Sequence, residues 1–111
     1  FHMISKISLE EKIEEVGGKA WSPIDITRTN DQVIRMALVD GEFHWHKHTN
    51  EDELFYVFKG NIIIQLENQP DINLREGEMV VIPKGIKHCP KSIIPSFVIL
   101  FEPFILKTTG D

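Results

Sequence analysis

Apolar and polar residues alternate with a period of two along much of this chain. From Phe43 to Thr49 the order is Phe-His-Trp-His-Lys-His-Thr, and alternate residues of an extended strand project to one face. Similar β-rich runs occupy Ile24 to Thr29, Gln32 to Val39, Glu53 to Phe58, Ile62 to Leu66, Ile72 to Leu74, Met79 to Ile82, Ile86 to Cys89 and Phe97 to Phe101. Turn residues separate them: Asn30-Asp31, Thr49 to Asp52, Lys59-Gly60-Asn61, Asn68 to Asp71, Arg75-Glu76-Gly77, Pro83-Lys84-Gly85 and Pro90 to Pro95. Asp40-Gly41 between two such runs reads as a hairpin turn. About nine short strands at this spacing predict an all-β sandwich or barrel.

A different period appears only near the start, in the segment 3–20. Leu9, Ile13 and Val16 recur at helical spacing, Ser8 is placed as an N-cap with Glu11 three residues on, and Gly17-Gly18 stops the run. One short amphipathic helix over Leu9 to Val16 is therefore expected, packed across an open end or an edge strand. Gly41, Gly60, Gly77 and Gly85 read as turn residues that need positive φ.

The chain has 111 residues, which predicts one domain over 1–111 with a single core. Phe1 and His2 precede Met3, which reads as the natural start, with the first two an extraneous remnant. A net charge of −5 with no basic stripe argues against nucleic acid. The apolar runs are too short for a membrane span, and no basic segment leads into an apolar one as in a secretory signal. The single Cys89 excludes an internal disulfide and fits a reducing compartment. A soluble cytoplasmic protein is the expectation.

The candidate chemistry lies in two punctuated segments. His44, His46 and His48 share a strand face, Glu53 opens the next strand, and His88 lies in the second segment. Three imidazoles from that set of four, with one carboxylate, suit a divalent transition metal: zinc, iron, manganese, nickel or cobalt. Asp52 is the alternative carboxylate if the turn is tight. Phe43 and Trp45 face the other way and read as core or interface. Cys89, next to His88, should point away and serve as a buried structural thiol. Tyr56, Phe101, Met36 and Lys91 are candidates to line the cavity.

Two spacings resemble a known family. Gly41-x4-His46-x-His48-x4-Glu53-x6-Gly60, within 41–60, is similar to the first cupin motif, and Gly77-x5-Pro83-x-Gly85-x2-His88, within 77–92, to the second. Within that family the stretches Phe43 to Phe55, Ile82 to His88, Glu102-Pro103 and Thr108-Thr109-Gly110 resemble the mannose-6-phosphate-isomerase-like group. Ser92 and Thr108 depart from it, standing where Asn is frequent. The resemblance implies a cupin barrel (a double-stranded β-helix or jelly roll) and metal ligands at His46, His48, Glu53 and His88. It leaves His44, Tyr56 and Phe101 as neighbours or substrate contacts, with His44 more an ordinary hydrogen-bonded histidine than a ligand. It also implies a homodimer, for which Trp21, Ile24 and Ile26 are interface candidates. The implied function is metal-dependent chemistry on a small polar ligand, sugar isomerisation by likeness. Oxygen-dependent cleavage by non-haem iron, or non-catalytic ligand sensing, are the alternatives.

Overall fold

The computed structural model describes residues 3–111; Phe1 and His2, with the reading given to them above, lie outside the described residues. Helix α1 spans Leu9–Val16. The strands are β1 (Ile24–Thr29), β2 (Gln32–Glu42), β3 (Glu53–Lys59), β4 (Asn61–Leu66), β5 (Gln69–Arg75), β6 (Met79–Ile82) and β7 (His88–Pro103). Among the described residues no helix is long and apolar enough to cross a membrane.

All strand pairs are antiparallel, in the order β1-β2-β7-β3-β6, with β4 and β5 joined through the early part of β7. Strand β7 holds the two halves together. Its start, His88 to Lys91, pairs with β4, and its later part, Phe97 to Phe101, pairs with β3. Strand β2 accompanies it from Glu42↔Lys91 to Gln32↔Pro103. The sheet thus curls into a jelly-roll barrel around one apolar interior.

Side-chain parity builds that interior. In β3, Phe55 and Val57 point inward, and in β7 Val98 and Leu100 do the same. They meet Ala37, Val39, Ile62, Ile64, Leu74 and Ile82 in a cluster of buried residues. Strand β2 is apolar on both sides, as a strand buried on two faces must be. Met36 and Leu38 point outward and form a second cluster with Ile99 and Val16 of α1. Leu9 and Ile13 complete the helix's apolar face against that cluster. The helix is capped as its sequence predicts: Ser8 Oγ accepts from the Glu11 N–H at 3.4 Å, and Gly17 ends it with φ 69°.

Three connections differ from the sequence reading. Asp40-Gly41 is not a hairpin turn, because β2 runs on to Glu42 through a register shift, with Gly41 at φ 79°. A bulge absorbs the turn signal while β7 supplies partners on both sides of it. Pro90 to Pro95 is not a loop but the middle of β7. Ile93 to Pro95 have no ladder partner opposite Asp40, so Pro95 costs no sheet hydrogen bond there, whereas Pro90 sits in the ladder opposite Ile64. Phe43 to Thr49 is not a strand and makes only an isolated bridge, His46↔His88.

Candidate metal centre

The two glycine-punctuated segments meet because the non-strand segment 43–49 lies antiparallel to 85–90. The His46 N–H donates to His88 O at 2.9 Å and the His88 N–H returns to His46 O at 2.8 Å. The Gly85 N–H donates to His48 O, the Phe43 N–H to Pro90 O, and the Lys84 N–H to Asp52 Oδ1. Asp52, the alternative carboxylate, is thereby occupied in tying the turns together. Glu53 instead opens β3 on the inward parity of Phe55 and Val57.

His46, His48, Glu53 and His88 are all buried, between 1% and 8% exposed. Each offers one ligand atom, and the four atoms lie within 4.8 Å of one another. Imidazole rings stand 4.4 Å apart for His46 and His88 and 5.1 Å for His46 and His48. His46 Nδ1–H donates to His44 O at 3.0 Å, and His88 Nδ1–H to Ile86 O at 2.9 Å. Those bonds fix the tautomer that leaves Nε2 bare and facing inward. Among the described residues, His88 Nε2, His48 Nδ1 and Glu102 Oε2 are buried atoms without a hydrogen-bond partner. His48 Nε2 lies 3.1 Å from Glu53 Oε1, and His88 Nε2 lies 3.6 Å from the same oxygen.

Electrostatics prepare these groups as ligands. Burial, reinforced by the neighbouring His88 and His48, pushes the His46 pKa down to about 4. Its imidazole is therefore neutral at pH 7, as metal ligation requires. Burial would raise the Glu53 carboxyl, but His48, hydrogen-bonded to it, together with the neighbouring His88 and Glu102, outweighs that and holds Glu53 below the usual carboxylate range. The partner carboxyl, Glu102, moves the opposite way: burial first, then Glu53, push it upward against the pull of Arg35. Glu102 shares inward parity with Val98 and Leu100, and the β3–β7 register carries it opposite Glu53. The donor set, the orphaned nitrogens and the fixed tautomers together fit a divalent transition metal.

The site opens into a narrow pocket of about 50 Å³, walled by Trp21, Pro23, Phe43, Phe55, Pro90, Thr108 and Thr109, with His46 and Glu53 reaching it. Trp21 stacks on Phe43 at 4.6 Å between ring centroids, and its Nε1–H donates to Asp40 O at 3.1 Å.

Several sequence-based assignments change here. Phe43 lines the pocket instead of facing away, because segment 43–49 lacks regular strand parity. Trp21 lines the pocket, while Ile24 and Ile26 pack on the outer cluster beside α1. Tyr56 does not reach the site: it alternates with Phe55 and Val57 and packs on that same outer cluster, as does Met36. Phe101, 37% exposed, lies outside with Leu54 and Val81 in a separate surface depression, since β7 turns Leu100 and Glu102 inward. His44 is exposed and donates through Nε2 to Thr109 O at 2.8 Å, outside the four-donor group. Cys89 is fully buried and its Sγ turns to Glu42 and Pro90 O.

The sequence reading missed two features that shape the site. Arg35 Nη1 donates to Glu102 Oε1 at 3.1 Å, and the same guanidinium binds Phe104 O, Leu106 O and Asp25. Alternation through Val98-x-Leu100-x-Glu102 was the available signal for Glu102. The second feature is the tail, Thr108 to Asp111, which crosses the histidine segment. Gly110 is essential to that crossing, since a Cβ there would lie 2.6 Å from His46 Cβ, and its φ is 96°.

The cupin domain profile matches residues 34–94, more than half of the 111 residues. The chain belongs to the cupin family. It is 35% identical over 69 residues to the uncharacterized protein YdbB of Bacillus subtilis (strain 168), a match covering 62% of this chain and 61% of that protein. It is 34% identical over 64 residues to 3-hydroxyanthranilate 3,4-dioxygenase 2 of Aspergillus fumigatus, covering 55% of this chain and 34% of the enzyme. The matched stretch thus spans less than two thirds of either curated relative. Among solved structures, a cupin-2 domain containing protein from Shewanella frigidimarina NCIMB 400 is 37% identical with a TM-score of 0.83, covering 87% of this chain and 93% of that one.

Proposed function

We propose that this cupin holds one divalent transition metal on His46, His48, Glu53 and His88 and is an enzyme acting on a small substrate. The observation that carries the reading is the buried four-donor group, with two imidazoles locked by backbone carbonyls and an aromatic pocket at its mouth. When bound there, the metal supplies a Lewis acid with positions left for water or a substrate oxygen. The chain's own groups fix the ligands, exclude bulk water through Phe43, Phe55 and Trp21, and place Glu102, held by Arg35, beside Glu53.

Of the reactions open to such a site, the pocket favours oxidative cleavage of a small planar or enediol compound by an iron-loaded form. Apart from Thr108 and Thr109 its walls are aromatic and apolar, they carry no lysine or arginine, and the space of about 50 Å³ suits a small group or the edge of a flat one. The similarity to a dioxygenase points the same way. Isomerisation of a sugar phosphate, which the sequence resemblance implied, would call for a cation where these walls have none. A cytoplasmic homodimer completes the proposal, and light scattering of the purified chain tests the pairing.

The deciding experiment is elemental analysis of protein purified without a nickel column, for the wild type and three variants. One equivalent of metal is expected in the wild type, loss of it in His48→Ala and His88→Ala, and retention in His44→Ala. Iron with substrate-dependent oxygen uptake supports cleavage; zinc or manganese with turnover of sugars reverts the reading to isomerisation. Metal binding without turnover leaves a ligand sensor, and no metal uptake sinks the proposal.

A further inference from the structure

The three histidines of the centre are not held alike. His46 and His88 each give Nδ1–H to a backbone carbonyl within their own segment. His48 is 2% exposed, turns Nε2 toward Glu53, and leaves Nδ1 buried without a partner. A ligand imidazole almost always gives its second N–H to an acceptor that fixes ring orientation. His48 needs one, and its segment offers none.

A carboxylate is close. His48, Glu51 and Asp111 form a second group whose ligand atoms lie within 4.8 Å of one another. Since Nε2 is turned to Glu53, Nδ1 is the nitrogen left to meet them. The two carboxylates differ in how firmly they are held. Asp111 is anchored on both sides of His48: its N–H donates to Lys47 O at 3.0 Å, and its Oδ2 accepts from the Thr49 N–H at 2.6 Å. Thr109 O and Gly110 add further crossings over His44 and His46. Asp111 is thereby held against the histidine segment, whereas Glu51 lies in the turn with no side-chain bond among the described residues to fix it.

We infer that Asp111 is a positioning residue for the metal centre: its carboxylate accepts from His48 Nδ1–H when Nε2 binds the metal. A carboxylate–imidazole–metal chain then runs from the tail into the site. This pairing satisfies the orphaned nitrogen, sets the His48 tautomer and raises its basicity toward the metal. It also gives the strap formed by Thr108 to Asp111 a function, because docking of the tail and orientation of His48 become one event. The inference rests on His48 being a ligand, as proposed above.

The test is Zn(II) affinity by chelator competition on the full chain, with ¹H–¹⁵N spectra of the imidazoles in the zinc-loaded protein. Asp111→Ala should weaken zinc roughly 10- to 100-fold, the usual effect of losing such an outer partner. The His48 Nδ1–H resonance should move upfield or exchange away while those of His46 and His88 stay. Asp111→Glu should recover part of the affinity, and Glu51→Gln should stay within about 2-fold of wild type. Affinity unchanged in Asp111→Ala overturns the inference. So does a loss of affinity with the His48 proton signal unmoved, which would mean that the tail acts only as a cover. A wild type that binds no zinc would instead refute the metal assignment itself.

Discussion

Gly60, the last residue of the first motif, offers a quantitative check on how the barrel corner is built. It has φ 89°, and a Cβ built on it would lie 2.3 Å from Ser96 Oγ, 2.8 Å from Ser96 Cβ and 3.0 Å from Ser96 Cα. Ser96 cannot swing aside, because it is fully buried and its hydroxyl is engaged three ways. It accepts from the Asn61 N–H at 3.0 Å, with Asn61 O and Ile94 O each 2.9 Å away. Gly60→Ala therefore meets three penalties at once. The left-handed backbone costs about 1–2 kcal/mol for a residue with a side chain. Overpacking against a backbone atom costs about 1–3 kcal/mol. Displacing Ser96 leaves the Asn61 N–H without its acceptor, for about 1–3 kcal/mol more. These terms overlap, since relief of one relaxes another, and about 4 kcal/mol is the expected loss. That is a large share of the roughly 5–15 kcal/mol stability of a domain. Urea unfolding followed by tryptophan fluorescence measures it. Ser96→Gly removes both close side-chain atoms, so the double variant should lose less than the sum of the two singles, by about 1 kcal/mol or more. A Gly60→Ala protein within about 1 kcal/mol of wild type, or strictly additive variants, would refute the packing argument.

Two further outcomes follow from buried titratable groups. His46, lowered to about 4 from 6.5, is neutral when folded, so protons favour the unfolded chain. Relative to His46→Gln, metal-free wild type should therefore lose about 3 kcal/mol as pH falls from 6.5 to 4. Parallel urea titrations across that range check it, and identical slopes for the two proteins would contradict it. Glu102, raised in the fold, acts in the reverse sense in both proteins, its contribution fading as pH rises above the ordinary carboxylate range, and so drops out of the comparison. Cys89 is fully buried, and that burial, with the charge of Glu42, raises its pKa. It should resist an aromatic disulfide reagent at pH 8 while folded and release one equivalent in denaturant; fast reaction of the native protein would show that the thiol is accessible.

Local information in the sequence was enough for the helix, the strand cores and the two motifs that bring His46, His48, Glu53 and His88 together. The capped period-3.6 run at Leu9–Val16 needs no distant partner to be recognised, and neither does the alternation of Phe55 and Val57 that turns Glu53 inward. The resemblance of the two glycine-punctuated motifs to the cupin pattern singled out the ligand candidates, and each positive-φ turn within them is a local requirement. Long-range pairing decided the rest. Asp40-Gly41 has the chemistry of a hairpin, yet β7 offers backbone partners on both sides of it, so the chain bulges and continues. Pro90 to Pro95 has the chemistry of a loop, yet β4 and β2 hold Pro90 to Ser92 in ladders, and only Ile93 to Pro95 are left unpaired where β7 passes from one half of the barrel to the other. Glu102 and Arg35 lie 67 residues apart, and their pairing beside Glu53 exists only because β2 and β3 flank the same strand. The tail joins the histidine segment in the same way: nothing near Asp111 in sequence says that it will bind Lys47 and Thr49. Donor types and their local parity are properties of short stretches of chain. Which groups surround those donors, and so their protonation and orientation, depended on closing the barrel.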